Sequence, residues 1–270
     1  MSEQATASSS LIFVCAIALT SLACGGGGPT SELAAHGGGA GAPANGASGS
    51  AGAAGDSPRV GSALVWDQTG FVAPAANPFA IQGPFYFYSD CEPPSGLPCT
   101  APDPGLTGAD GKAGWSASAD HVCAKGTAVQ VQDMMFSAQW GAGLALDLNS
   151  EGGEPGAPAV KGTFNLVQAG IVGFAVDISG AAPASVRVNL TMPGLDDSNF
   201  FVAKVPGTTT FNLSQVKQGN WVTSKTPLDA TKVEAIQFQI ATVASAPTPF
   251  DFCIDGIRAL TASELPAGGG

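Results

Sequence analysis

The sequence predicts an all-β protein, an antiparallel β-sandwich of about eleven strands, and three observations carry the prediction. Apolar and polar residues alternate with period two wherever a period can be read. Gly, Pro, Asn and Asp separate the alternating segments, and no stretch has the spacing of a long amphipathic helix. With 44% hydrophobic and only 11% charged residues, the chain can fill one substantial core and cover it with neutral polar loops.

Taken in chain order, residues 1–23 read as an export signal, because the apolar run Leu11–Ala23 stops at Cys24 and a block of glycines. The run falls short of the roughly 20 apolar residues that span a bilayer, so it suits the core of a cleaved signal peptide. Ser21-Leu22-Ala23-Cys24 resembles a bacterial lipobox, in which Cys24 becomes the lipidated first residue. The small residues Ser21 and Ala23 also satisfy ordinary signal cleavage, which would release a soluble protein. Lipidation is the favoured reading, because residues 24–57 form a Gly/Ala-rich tether behind the cysteine. That composition offers too little apolar surface to offset chain entropy and is expected to stay a flexible linker. The expected location is therefore the cell envelope, with the protein anchored by lipid to a membrane, or else secreted.

Residues 58–262 are expected to form the sandwich, and residues 263–270 a disordered tail. The clearest strands are Leu144–Asn149, Ser185–Met192 and Ala235–Ile240. In the first, Leu144, Leu146 and Leu148 face one way and Asp147 and Asn149 the other. In the second, Val186, Val188 and Leu190 oppose Arg187 and Asn189; in the third, Ile236, Phe238 and Ile240 oppose Gln237 and Gln239. Further strands are expected at Ala63–Asp67, Pro84–Ser89, Ala128–Gln132, Ile171–Ile178, Phe200–Lys204, Thr208–Leu213, Asn220–Thr223 and Phe250–Leu260. In the last of these the inward parity switches after Gly256, which predicts a bulge there.

After Cys15 and Cys24 are set aside, Cys91, Cys99, Cys123 and Cys253 remain, an even number in an exported domain. Three pairings are open. The favoured one joins Cys91 to Cys99 around a Pro-rich loop and Cys123 to Cys253.

A net charge of −11 makes nucleic acid and anionic lipid poor partners. Acyl-transfer chemistry has little support, since His121 is the only histidine of the domain and no serine stands in a GxSxG elbow. Two carboxylates at the right separation would suffice for a glycosidase. Asp147, Glu151, Glu154, Asp177, Asp196 and Asp197 are the candidates, but strands and loops leave their separation unread.

The segments GPFYFYSD (Gly83–Asp90), WGAGLALDLN (Trp140–Asn149), VQAGIVGFAVDISG (Val167–Gly180), VRVNLTM (Val186–Met192) and AIQFQI with FDFCIDGIRAL (Ala235–Leu260) together resemble galactose-binding-like jelly rolls. The superfamily includes many carbohydrate-binding modules, and the chain is similar to secreted lipoproteins of myxobacteria. The resemblance implies a non-catalytic domain that binds extracellular glycan. It also implies a structural calcium, for which Asp67 and Asp255 are the residues in place.

A sugar ring stacks its CH face on an aromatic ring while amides, carboxylates and guanidinium groups satisfy its hydroxyls. Trp115 is singled out as a platform because it lies in the polar Gly-rich stretch Gly108–Asp120, although core packing is the more ordinary role for an indole. Trp140 begins a strand at the mouth of the sandwich, and Trp221 sits within an expected strand. Both also read more readily as core, and Trp140 is kept as a ligand candidate. Asp147, Asn149, Arg187, Asn189, Gln237 and Gln239 would form a polar binding floor if their strands share one sheet. The competing reading is an ordinary solvated sheet face. A structural or adhesive envelope protein that binds protein partners is the alternative from another class.

One expected outcome follows from the first residues alone. Replacing Cys24 with alanine should move the protein from the membrane fraction to the soluble fraction. Wild-type protein that begins at Cys24 and carries no lipid mass would contradict it.

Overall fold

The computed structural model describes residues 62–91, 96–151, 160–181, 185–195 and 198–265. The expected export signal, Cys24, the linker, the start of the domain at Pro58, Glu154, Asp196, Asp197 and the last five residues lie outside the described residues.

Period-two alternation becomes fourteen strands among the described residues. In chain order they are β1 (Phe71–Val72), β2 (Gly83–Ser89), β3 (Ala101–Pro102), β4 (Trp115–Ala117), β5 (Val122–Ala128), β6 (Gly141–Asp147) and β7 (Ser150–Glu151). They continue with β8 (Val160–Lys161), β9 (Gly173–Gly180), β10 (Val186–Thr191), β11 (Asn199–Ala203), β12 (Gly207–Asn212), β13 (Ala235–Ala241) and β14 (Thr248–Leu260). The excess over eleven comes from two- and three-residue strands that carry no readable period. Two single 3₁₀ turns, Pro74–Ala76 and Leu213–Gln215, complete the regular structure of the described residues.

The first sheet has the order β1-β2-β6-β13-β10-β11. The second runs β12-β9-β14-β5-β3, with β4 also paired to β5. The strand pairs are antiparallel, and the two sheets form a sandwich of jelly-roll type. Between them lie Phe87, Leu144, Leu146, Val188, Ile236 and Phe238 from the first sheet, against Phe174, Val176, Phe252 and Ile254 from the second, all buried. Each such side chain contributes about 1.5–3 kcal/mol by leaving water. The sheets also meet where Phe201 of β11 stacks on Phe211 of β12, with ring centroids 5.4 Å apart.

Both favoured disulfides are present. Cys91–Cys99 closes a loop at the end of β2, and Cys123–Cys253 joins directly opposed residues of β5 and β14. The second bridge spans 130 residues of sequence, and closing so long a loop stabilises a fold by about 4–5 kcal/mol in the chain-entropy account. The bulge expected at Gly256 is also present, as the register of β14 on β9 shifts between Ile254 and Gly256.

Three expected strands are corrected. At Ala63–Asp67 only isolated bridges form, because the side chain of Asp67 holds a turn instead: its Oδ1 accepts from Thr69 N, Thr69 Oγ1 and Phe71 N. The strand placed at Ala128–Gln132 lies earlier, as β5. Asn220–Thr223 is a turn closed by Val222 N donating to Gly219 O at 3.2 Å.

Trp115 belongs to the core, at 1% exposure, which corrects its selection as a platform. A Cβ on Gly108 would stand 1.8 Å from its ring, so the Gly-rich stretch is there to admit the indole. The ring nitrogen Nε1 donates to Asp110 Oδ1 at 2.9 Å. Trp115→Ala should therefore lower unfolding stability by roughly 3–5 kcal/mol, the scale of truncating a buried aromatic, as read by chemical denaturation. A loss below about 1 kcal/mol would contradict a packing role.

Candidate ligand-binding face

The register of the first sheet brings the outward residues of five strands into rows. One row runs Tyr88–Gly143–Gln239–Arg187–Val202, and the next Tyr86–Ala145–Gln237–Asn189–Phe200. Asp147, Ala235 and Thr191 begin a third. Four inter-strand spacings make each full row about 19 Å wide. The middle of the face carries no bulk, since Gly143 and Ala145 are small and buried. At Gly143 this is obligatory, because a Cβ would lie 1.9 Å from Phe238 O.

Amides and a guanidinium occupy the centre. Gln239 Nε2 donates to the backbone carbonyl of Trp140 at 3.0 Å, while its Oε1 accepts from Arg187 Nη1 at 3.3 Å and from Asn189 Nδ2 at 3.2 Å. Asn189 and Gln239 are 5% and 8% exposed; Arg187 and Gln237 are half-buried.

Aromatic pairs border this centre on both sides. Tyr88 stacks on Trp140 with centroids 5.5 Å apart and planes 21° from parallel. Across the face, Phe200 stacks on Trp221 at 5.6 Å and 11°, and the Arg187 guanidinium lies 4.5 Å from the Phe200 centroid and 5.1 Å from that of Trp221. Such cation–π contacts hold a guanidinium in place while leaving ring surface open. Trp221 is 59% exposed, which corrects the expectation that it is core. The cause is its turn: the ring folds back over Gly219, where a Cβ would come within 2.3 Å of it.

Charge gathers at one end. Asp147 Oδ1 accepts from Tyr86 OH at 3.3 Å and pairs with Lys161 Nζ at 3.5 Å; Lys161 also reaches Glu234 Oε2 at 3.9 Å. Burial pushes the Asp147 carboxyl above the usual carboxylate range, against the opposing pull of Lys161 and Tyr86. Burial raises both phenols too; the charge of Asp147 adds to the rise at Tyr86, and Arg187 opposes it at Tyr88.

Five of the six floor residues, Asp147, Arg187, Asn189, Gln237 and Gln239, thus share one face, and Trp140 borders it. Asn149 does not. The chain has left β6 by then, and its Nδ2 donates to Thr163 O at 2.9 Å, locking a loop. Tyr86, Tyr88 and Phe200 were missed. For the tyrosines the signal was present, as polar-tipped rings alternating with Phe85 and Phe87 in GPFYFYSD.

The remaining candidates lie apart from this face. Asp177 sits on β9 in the second sheet, where Thr208 Oγ1 donates to it. Donors from Thr69, Phe71 and Gly70 outweigh the opposing effect of partial burial and hold the Asp67 carboxyl low; Asp255 is exposed on β14. Among the described residues no three His, Cys, Asp or Glu side chains gather as a metal site. A separate shallow hollow on the second sheet is lined by Pro102, Asp103, Lys125, Pro249 and Asp251, with Lys125 paired to both carboxylates at 3.6 and 3.5 Å.

No family model and no curated protein matches the chain. Among solved structures it is similar to the family 11 carbohydrate-binding module of the cellulosomal cellulase Lic26A-Cel5E of Clostridium thermocellum, with a TM-score of 0.36 and 13% identity over 54% of this chain and 76% of that one. It is also similar to a family 11 module from Clostridium thermocellum in complex with a β-1,3-1,4-mixed-linked tetrasaccharide, with a TM-score of 0.40 and 12% identity over 75% of this chain and 97% of the other. A solution structure of CtCBM11 gives a TM-score of 0.35 and 9% identity over 76% and 99% of the two chains.

Proposed function

We propose that the outer face of the first sheet binds extracellular carbohydrate without catalysing a reaction on it. The observation that carries this reading is the combination on one face of a central amide and guanidinium row with stacked aromatic pairs at both borders. Rings offer apolar surface to the CH face of a sugar, and amides offer the paired donors and acceptors that hydroxyls need. The absence of catalysis is part of the proposal. It is supported by the pairing of Asp147 and Glu234 to one lysine, which engages both of these carboxylates with a cation between them. Lipid anchoring through Cys24 at the cell envelope belongs to the same proposal, and an acidic net charge of −11 argues against nucleic acid as the ligand.

The rival reading, an adhesive envelope protein that binds other proteins, is favoured by one observation. Met134, Met135 and Phe136 are exposed in succession on a loop whose backbone is left-handed at Asp133 and Met134.

A broad glycan array probed with the folded domain separates the two. Binding to at least one glycan is expected, and Trp221→Ala should weaken it by roughly 1–3 kcal/mol, the scale of an interface anchor. The melting temperature should stay nearly unchanged, because this indole is mostly exposed. Failure of the wild-type domain to bind any glycan would defeat the proposal and leave the adhesive reading in its place.

A further inference from the structure

The hydrogen-bond network of the face has a direction, and that direction leaves one acceptor without a donor. The backbone carbonyl of Trp140 can only accept, so the end of Gln239 that meets it must be the Nε2 end. Arg187 can only donate, which fixes Gln239 Oε1 a second time. Asn189 is then obliged to turn its Nδ2 toward Gln239 Oε1, and the same nitrogen lies 3.5 Å from Gln237 Oε1. Asn189 Oδ1 is thereby left sealed from water and with no donor among the described residues. Tyr88 OH and Thr191 Oγ1 on the same face are also sealed and have no partner among the described residues. A hydroxyl can rotate to give or to take, whereas an amide oxygen can only take.

We propose that Asn189 Oδ1 is the specificity-determining acceptor of this face, so that the face takes neutral saccharides, which bring a hydroxyl donor to it, and rejects sugars that bring a carboxylate or sulfate. This rests on the carbohydrate reading above and narrows it. A buried acceptor without a donor is a standing cost to the fold, and a sugar hydroxyl removes that cost while its own oxygen accepts from a neighbouring N–H. A carboxylate sets acceptor against acceptor. Arg187 does not reverse the preference, because its guanidinium is already engaged by Gln239 Oε1 and by the faces of Phe200 and Trp221. The net charge of −11 further disfavours polyanions. Gln237, long and half-buried, is the side chain that shifts to admit the hydroxyl.

Native gel electrophoresis of the purified protein tests this with dextran, mannan and galactan in the gel, each beside its carboxymethylated form. Retardation by at least one neutral polymer is expected, and by its carboxymethylated form about tenfold or more weakly. Asn189→Ala should weaken the neutral interaction by about tenfold or more in protein that circular dichroism shows to be folded. Equal or tighter binding of the carboxymethylated polymer, or an Asn189→Ala affinity within about twofold of wild type, overturns the inference and leaves the carbohydrate reading standing. Retardation by none of the polymers, with an empty glycan array, defeats both. Should Asn189→Ala fail to fold, the wild-type comparison of matched polymers, repeated by calorimetry in salt high enough to screen the net charge, decides alone.

Discussion

The antiparallel register of β6, β13 and β10 is the constraint on which the rest of the structure depends. It opposes Leu144, Phe238 and Val188 on the inner side and, one residue along, Gly143, Gln239 and Arg187 on the outer side. A slip by one residue would turn leucines and phenylalanines outward and bury an arginine and two glutamines, so the core and the polar face are specified by the same pairing. Neither can change without the other.

Within that frame, small residues decide what the face can do. Gly143 must lack a side chain because of Phe238 O, and its absence of bulk leaves the centre of the row to Gln239 and Tyr88. The Trp140 carbonyl, supplied just before β6 begins, then orients Gln239, and through it Arg187 and Asn189. Among the described residues of the face, carboxylates gather at the end where Asp147 and Glu234 share Lys161. The centre is therefore a directed array of neutral groups with one cation stacked on rings.

Much of this was legible in the sequence, because period two assigns inside and outside without knowledge of sheet order. Ile236, Phe238 and Ile240 are buried as expected, and Gln237 and Gln239 share a face with Arg187 and Asn189. What the period could not show was where strands stop: Asn149 keeps the parity of Asp147 but lies beyond β6. Trp221 left its expected core role, and Trp115 took the core role instead of the platform, for a related reason. Whether an indole is buried depends on glycines that make room for it, Gly108 for Trp115 and Gly219 for Trp221, and those contacts are fixed by loop geometry rather than alternation. Phe200, in a strand expected from sequence, gave no sign of facing outward, because the meeting with Trp221 is made by the turn after β12.

Side-chain amide resonances of Asn189, Gln237 and Gln239 offer the most direct test of the central claim, that the outer face of the first sheet is where a ligand binds. Titration of isotope-labelled protein with a neutral glycan taken from the array should shift these three amides and the indole N–H of Trp221, and should leave the backbone signals around Lys125 on the second sheet in place. Shifts confined to the second sheet, or to the loop of Met134 to Phe136, with the three amides unmoved, would contradict the account.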